Sequence, residues 1–405
     1  MKSASTQKLR LVNIEYSAMQ AFYWASFCSI ISFAAVYLQA RGYSNTTLGQ
    51  VLAVGYVLGF LLPQVLADWI DRSKKITVYH CQWALFLFQV FLVLILRQLP
   101  GNGLSVSVLC CLMIGIEIAI NPLNTEISAE LDLSLGHINY GVARGMGSLA
   151  FAPVAVLIGR LLEDRGMQVL PWINLLCIAL QALALLSLCL TIRGAEAVSG
   201  NRITRSQQAS SFVDFFLENR RFFGLLAGAV LLFFTHNLIN NYLINIVRNV
   251  GGDTSDMGTI SGFTAAMEIP MMLFYDRLLR RFSCAFTVRF SSVMFAAKAL
   301  AITCAVSIRG LLAANILQIV SFAMITPAMV RYVILTIDPK DSAKGQALSY
   351  GTVTLGSIFA SLFGGMLYDT FTVRETLLVG VASAALGAVL CNIFARPDKT
   401  APVSP

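Results

Sequence analysis

The chain has 405 residues, is 57% hydrophobic and 12% charged, and carries a formal net charge of +8, with a mean hydropathy of +0.72. A soluble domain carries roughly twice that charged fraction, so lipid is the expected solvent for most of the surface. The Lys and Arg residues stand between apolar segments rather than in one patch, which excludes a nucleic-acid partner and reads as membrane topology.

Lys2, Lys8 and Arg10 precede the first apolar run, which ends at Gln39-Ala40-Arg41 without a small-residue cleavage site. The run is too long for a signal-peptide core, and a retained first membrane helix is expected. Apolar stretches of bilayer length follow over 14–40, 46–67, 76–98, 103–128, 139–162 and 170–192. They resume over 222–247, 256–275, 284–307, 310–336, 344–367 and 374–395. Connections hold turn formers such as Pro100-Gly101-Asn102-Gly103 and Asp338-Pro339-Lys340-Asp341. The fold class expected is all-α integral membrane, with twelve transmembrane helices in two pseudo-symmetric six-helix bundles. The expected boundaries are an N-terminal bundle over 1–192, a cytoplasmic linker over 193–221 with a short surface helix near 212–217, a C-terminal bundle over 222–396 and a tail over 397–405.

Two basic loops mark the duplication. Asp68-Trp69-Ile70-Asp71-Arg72-Ser73-Lys74-Lys75 follows helix two, and Asp276-Arg277-Leu278-Leu279-Arg280-Arg281 follows helix eight. A loop repeated at half the chain length signals a transporter built from repeats. With both termini inside, about 18 Lys and Arg lie on the cytoplasmic side and about seven opposite, as the positive-inside rule requires.

The nine cysteines fall mainly in apolar segments without CxxC or Cys/His spacing, so neither disulfides nor a metal or other cofactor is expected. No P-loop, dinucleotide-binding glycine pattern or zincin motif occurs, and an enzyme is not expected.

An ionisable group at mid-membrane depth is costly unless paired or facing water, so each one marks a candidate site. Glu268 in helix eight and Lys298 in helix nine are read as a proton-coupling pair, against the alternative of a static salt bridge. Glu117 and Glu126 lie on opposite faces of helix four, and Glu117 shares its face with Asn121 and Asn124. Pro122 between them blurs the assignment. One of the two carboxylates is expected to face substrate, and the residues do not choose between them. Tyr16, Gln20 and Trp24 share a face of helix one, as His236 and Asn240 do on helix seven. These groups suit stacking and hydrogen bonding to a polar solute, while Tyr16 and Trp24 suit an interfacial aromatic belt equally well.

The chain resembles the major facilitator superfamily, in the branch of lactose permease and of oligosaccharide, nucleoside and phenylpropionate-type proton symporters. The match is sharpest at Tyr140-Gly141-Val142-Ala143-Arg144-Gly145-Met146-Gly147-Ser148 and extends to Gly364-Gly365-Met366-Leu367-Tyr368-Asp369. The resemblance implies Arg144 and Glu126 as partners for substrate hydroxyls, and an aromatic stacking position at Phe151 where sugar symporters carry tryptophan. It implies gate latches at Asp68, Arg72, Asp276 and Arg281, with plain cytoplasmic anchoring as the alternative. The chain departs from the pattern at Gln64, where the loop motif has glycine. Asn237 and Asn240 replace helix-seven aspartates, and Ser321 and Met324 replace a helix-ten His/acid pair. The function expected is proton-coupled symport of a small saccharide, nucleoside or aromatic acid by alternating access, in a monomer of the bacterial inner membrane. The alternatives are a drug or metabolite exporter and an uncoupled facilitator, with a membrane sensor third.

Overall fold

The structure is a computed structural model and describes residues 2–73, 76–136, 138–193 and 211–395. Every regular element among the described residues is helical. α1 (Lys2–Phe27) continues through a π-helical turn (Cys28–Ser32) into α2 (Ala34–Ala40), making one crossing. α3 (Asn45–Arg72), α4 (Val78–Gln98), α5 (Leu104–Leu135), α6 (Tyr140–Arg165) and α7 (Leu170–Arg193) complete the first six crossings. The expected short helix in the linker is α8 (Phe212–Glu218), which leads into α9 (Arg220–Asn241) and, after Tyr242, α10 (Leu243–Asn249). α11 (Thr254–Leu279) and α12 (Cys284–Cys304) follow. The tenth crossing is interrupted: α13 (Ile308–Asn315) passes through a 3-10 turn (Ile316–Gln318) before α14 (Phe322–Thr336). α15 (Ser342–Thr370) and α16 (Val373–Phe394) close the fold.

Eleven spans among the described residues are long and apolar enough to cross a membrane. α11 is the twelfth long helix, and it falls outside that set because Asp256, Glu268 and several Ser and Thr residues dilute its hydropathy. Its 26 residues extend about 39 Å at 1.5 Å per residue, enough to cross a hydrocarbon core of about 30 Å. The fold is all-α, membrane-spanning and twelve-helical. Exposed Leu87 and Phe91 on α4, Leu183 and Leu190 on α7, and Phe359 and Phe363 on α15 form the apolar exterior that such a fold turns to lipid.

Tertiary contacts divide the chain into two units, Met1–Arg202 with Asp253–Ala266, and Ile203–Gly252 with Met267–Pro405. In the first unit α3 packs on α5, and α1 on α6 and α7. A Cβ added at Gly59 would sit 2.5 Å from Ile118 Cβ, so only glycine permits this approach of α3 to α5. Arg41 ties the end of α2 to the end of α4, donating to the carbonyls of Leu99 (2.9 Å) and Gly101 (3.2 Å). A guanidinium there meets carbonyls that the helix leaves unpaired. In the second unit α9 packs against α15 and α16. Here a Cβ on Gly228 would lie 2.9 Å from the Gly387 carbonyl. Phe222, Phe233, Phe295 and Tyr332 belong to the buried core of that unit.

Candidate functional site

The second unit assembles a polar chain around Gln318. The 3-10 turn between α13 and α14 places this residue inside the bundle, with none of its surface exposed. The Lys298 ammonium donates to Gln318 Oε1 at 2.5 Å, and Gln318 Nε2 donates to Glu268 Oε1 at 2.9 Å. Lys298 is 4% exposed, whereas Glu268 is half-buried. The expected Glu268–Lys298 pair is thus joined through an amide that presents opposite ends to opposite charges. A broken crossing is where membrane transporters commonly place such groups, because its side chains and freed backbone reach the interior.

Beside this chain, the His236 ring stacks on Phe322 with centroids 4.1 Å apart and planes 5° from parallel. One turn along α9, Asn240 Nδ2 lies 2.8 Å from His236 Nε2. Both residues are half-buried. Neutral amide, imidazole, carboxylate and ammonium therefore stand together in one unit, a set able to bond solute hydroxyls and hold a proton.

In the first unit, Arg144 lies over the Trp24 indole with Cζ 3.9 Å from the ring centroid, and its Nη1 donates to Ser148 Oγ at 3.3 Å. Gly147 makes this possible, since a Cβ there would clash with the Trp24 ring. Tyr23 and Phe27 flank the indole at centroid distances of 5.3 and 5.0 Å. Trp24 and Arg144 are half-buried, as are Phe151 and Asn121, while Glu126 is exposed. No hydrogen bond or ion pair joins Glu126 to Arg144 among the described residues; the arginine is held by Trp24 and Ser148 instead.

The other carboxylate of α5 is placed differently. Glu117 has no exposed surface, and its Oε2 accepts from Gln89 Nε2 at 2.9 Å and Ser26 Oγ at 3.1 Å. Gln20 is also fully buried and donates to Tyr16 Oη at 2.8 Å. Tyr16 in turn donates to the Asn124 carbonyl at 2.9 Å. With 0% exposure and bonds to Gln20 and the Asn124 carbonyl, Tyr16 is an interior residue and not part of an interfacial aromatic belt.

Of the residues expected at a gate, Asp68 and Arg72 pair at 2.9 Å near the end of α3, both well exposed. Arg281 is exposed beyond the end of α11. The side chain of Asp276 lies outside the described residues, as do Lys74 and Lys75.

The sequence profile of the family described as MFS_1 like matches residues 13–379. The chain belongs to this major facilitator family. The maltose permease of Geobacillus stearothermophilus is 25% identical to it over 385 residues, 93% of each chain. A probable 3-phenylpropionic acid transporter of Escherichia coli (strain K12) is 23% identical over 352 residues, 86% of this chain and 89% of that one. Among solved structures, a D323A mutant of the nucleoside transporter NupG superposes with a TM-score of 0.75 at 12% identity, covering 95% of this chain and all of that one. That likeness establishes the fold. These relatives of the MFS_1 like chain are named as transporters, and no catalytic family accompanies them.

Gln318, Gln89, Ser26 and Gln82, which donates to Asn124 Oδ1 at 2.6 Å, are not among the residues singled out from the sequence, because none carries a formal charge or falls on the polar faces of Tyr16, Gln20 and Trp24 or of His236 and Asn240. The signal was available. Gln82 and Gln89 stand seven residues apart on one face of α4, and a buried amide in lipid needs partners as surely as a charge does.

Proposed function

We propose that this chain is a proton-coupled symporter of a small polar organic solute, acting by alternating access with Glu268 as the protonation site. The observation that carries the reading is the Glu268–Gln318–Lys298 chain. A half-buried carboxylate linked through an amide to a buried ammonium has two stable charge arrangements. Protonation of Glu268 releases Gln318 and Lys298 to other partners, including a solute, and deprotonation restores the chain. His236 and Asn240 offer hydrogen bonds to that solute, and Arg144 on Trp24 offers an aromatic face beside a fixed positive charge.

The substrate classes that suit these groups are saccharides, nucleosides and aromatic acids. Relatives named for maltose and for 3-phenylpropionic acid support the first and last of these. In this reading the bundles 1–192 and 222–396 are the moving halves, and Asp68, Arg72, Asp276 and Arg281 serve the cytoplasmic gate. The protein acts as a monomer in the inner membrane with both termini cytoplasmic.

The test is solute-induced pH change in de-energised cells or proteoliposomes. Saccharides, nucleosides and aromatic acids are offered in turn, with Glu268→Gln as the control. External alkalinisation with one class, lost in the variant, is the expected result. Downhill uptake of a solute with no accompanying proton movement would leave an uncoupled facilitator.

A further inference from the structure

We infer that Glu117, with Gln89 and Ser26, forms a binding site for a small monovalent cation, a proton or sodium, within the first unit. This gives the transport reading a second point of entry for a driving ion, in the half of the chain that does not hold Glu268.

The site lies where α1, α4 and α5 supply Ser26, Gln89 and Glu117. Both bonds to the carboxylate reach Oε2. Glu117 Oε1 is buried without a hydrogen-bond partner, and so is Gln89 Oε1 on the amide that holds its sister oxygen. Two acceptor oxygens therefore stand unmatched around one carboxylate. Neither a lysine nor an arginine pairs with Glu117 among the described residues.

The surrounding titratable groups do not supply the missing charge. Tyr23 on α1 and Cys177 on α7 are close enough to interact electrostatically with Glu117, but a phenol and a thiol bring no positive charge. Arg144 on α6 acts on Tyr23, but its guanidinium is held over Trp24 and by Ser148. Tyr79, His80 and Arg97 on α4, and Asp68 and Arg72 on α3, stand near the ends of their helices, several turns from the middle of α5. A fully buried, unpaired carboxylate costs several kcal/mol, which a positive occupant removes. A proton on Oε1 leaves the two existing bonds in place. Sodium uses Oε1 and Gln89 Oε1 as hard oxygen ligands. The two occupants share one chemistry, and the measurement separates them.

Purified full-length protein is tested without any substrate, so failure of the transport reading and failure of this inference are distinguishable. The unfolding midpoint is followed in sodium chloride against choline chloride at fixed pH. The infrared carbonyl band of protonated carboxylic acid is recorded in choline alone. Wild type, Glu117→Gln and Glu268→Gln are compared. A sodium-dependent rise in midpoint, lost in Glu117→Gln and kept in Glu268→Gln, assigns sodium. An acid carbonyl band lost in Glu117→Gln, without a sodium effect, assigns the proton. Neither signal, with Glu117→Gln folded, overturns the inference. If Glu117→Gln does not fold, Gln89→Leu keeps the carboxylate and is read instead. A weakened sodium response or a shifted acid band upholds the site, and no change in either overturns it.

Discussion

At the scale of single residues, amides organise charges that the sequence presents as bare. Gln318 binds Lys298 at one end and Glu268 at the other, so it bridges the two charges. Gln318→Leu removes this amide from both charges, at about 1–3 kcal/mol for a buried group that loses its hydrogen bond. We expect coupled uptake to fall at least about tenfold while Gln318→Glu, which still accepts from Lys298, retains part of it; initial uptake rates with and without a proton gradient check this. Trp24→Ala removes the plane on which Arg144 rests, and a rise in the half-saturating solute concentration with little change in maximal rate is expected. Such a split separates loss of ground-state binding from loss of turnover. Glu268, Lys298, Arg144 and Trp24 were legible because charge and aromaticity stand out in an apolar segment. Which atoms they would touch was not legible, because a one-dimensional pattern gives a helix face but not the neighbour opposite it.

At the scale of helices, close approach depends on missing side chains. Gly59 on α3 meets Ile118 on α5, and Gly228 on α9 meets the backbone of Gly387 on α16. In lipid the association of helices rests on such contact, since the apolar solvent offers no hydrophobic drive. Gly228→Leu is expected to lower stability by about 1–3 kcal/mol through overpacking, measured by denaturation in detergent. The half-buried Gly351, with no neighbour within reach of an added Cβ, is the contrast, and Gly351→Ala is expected to hold or raise stability, by up to about 1 kcal/mol through helix propensity. The helices themselves follow from apolar runs bounded by caps such as Ser44, Ser283 and Thr372. The interruption of the tenth crossing at Ile316–Gln318 was not readable, because no proline or glycine marks it.

For the whole molecule, basic residues report orientation. Lys2, Lys8 and Arg10 lie in the first turns of α1, and Arg220 and Arg221 open α9, so a topology reporter fused at either terminus is expected to register the cytoplasmic side. Activity of an externally active reporter at the N-terminus would reverse the assignment. The sequence by itself determined that the chain is a twelve-helix membrane protein of major facilitator type. Hydropathy, segment length and loop charge are properties of the chain alone, and the bilayer reads them one segment at a time. Only the tertiary structure decided where each polar group stands and what it touches. It buried Glu117 against Gln89 and Ser26, left Glu126 exposed, and put Gln318 between Lys298 and Glu268. The physical reason is that lipid makes every segment helical whatever its neighbours, whereas the satisfaction of a buried polar atom depends on groups that are far away in the chain and close only after packing.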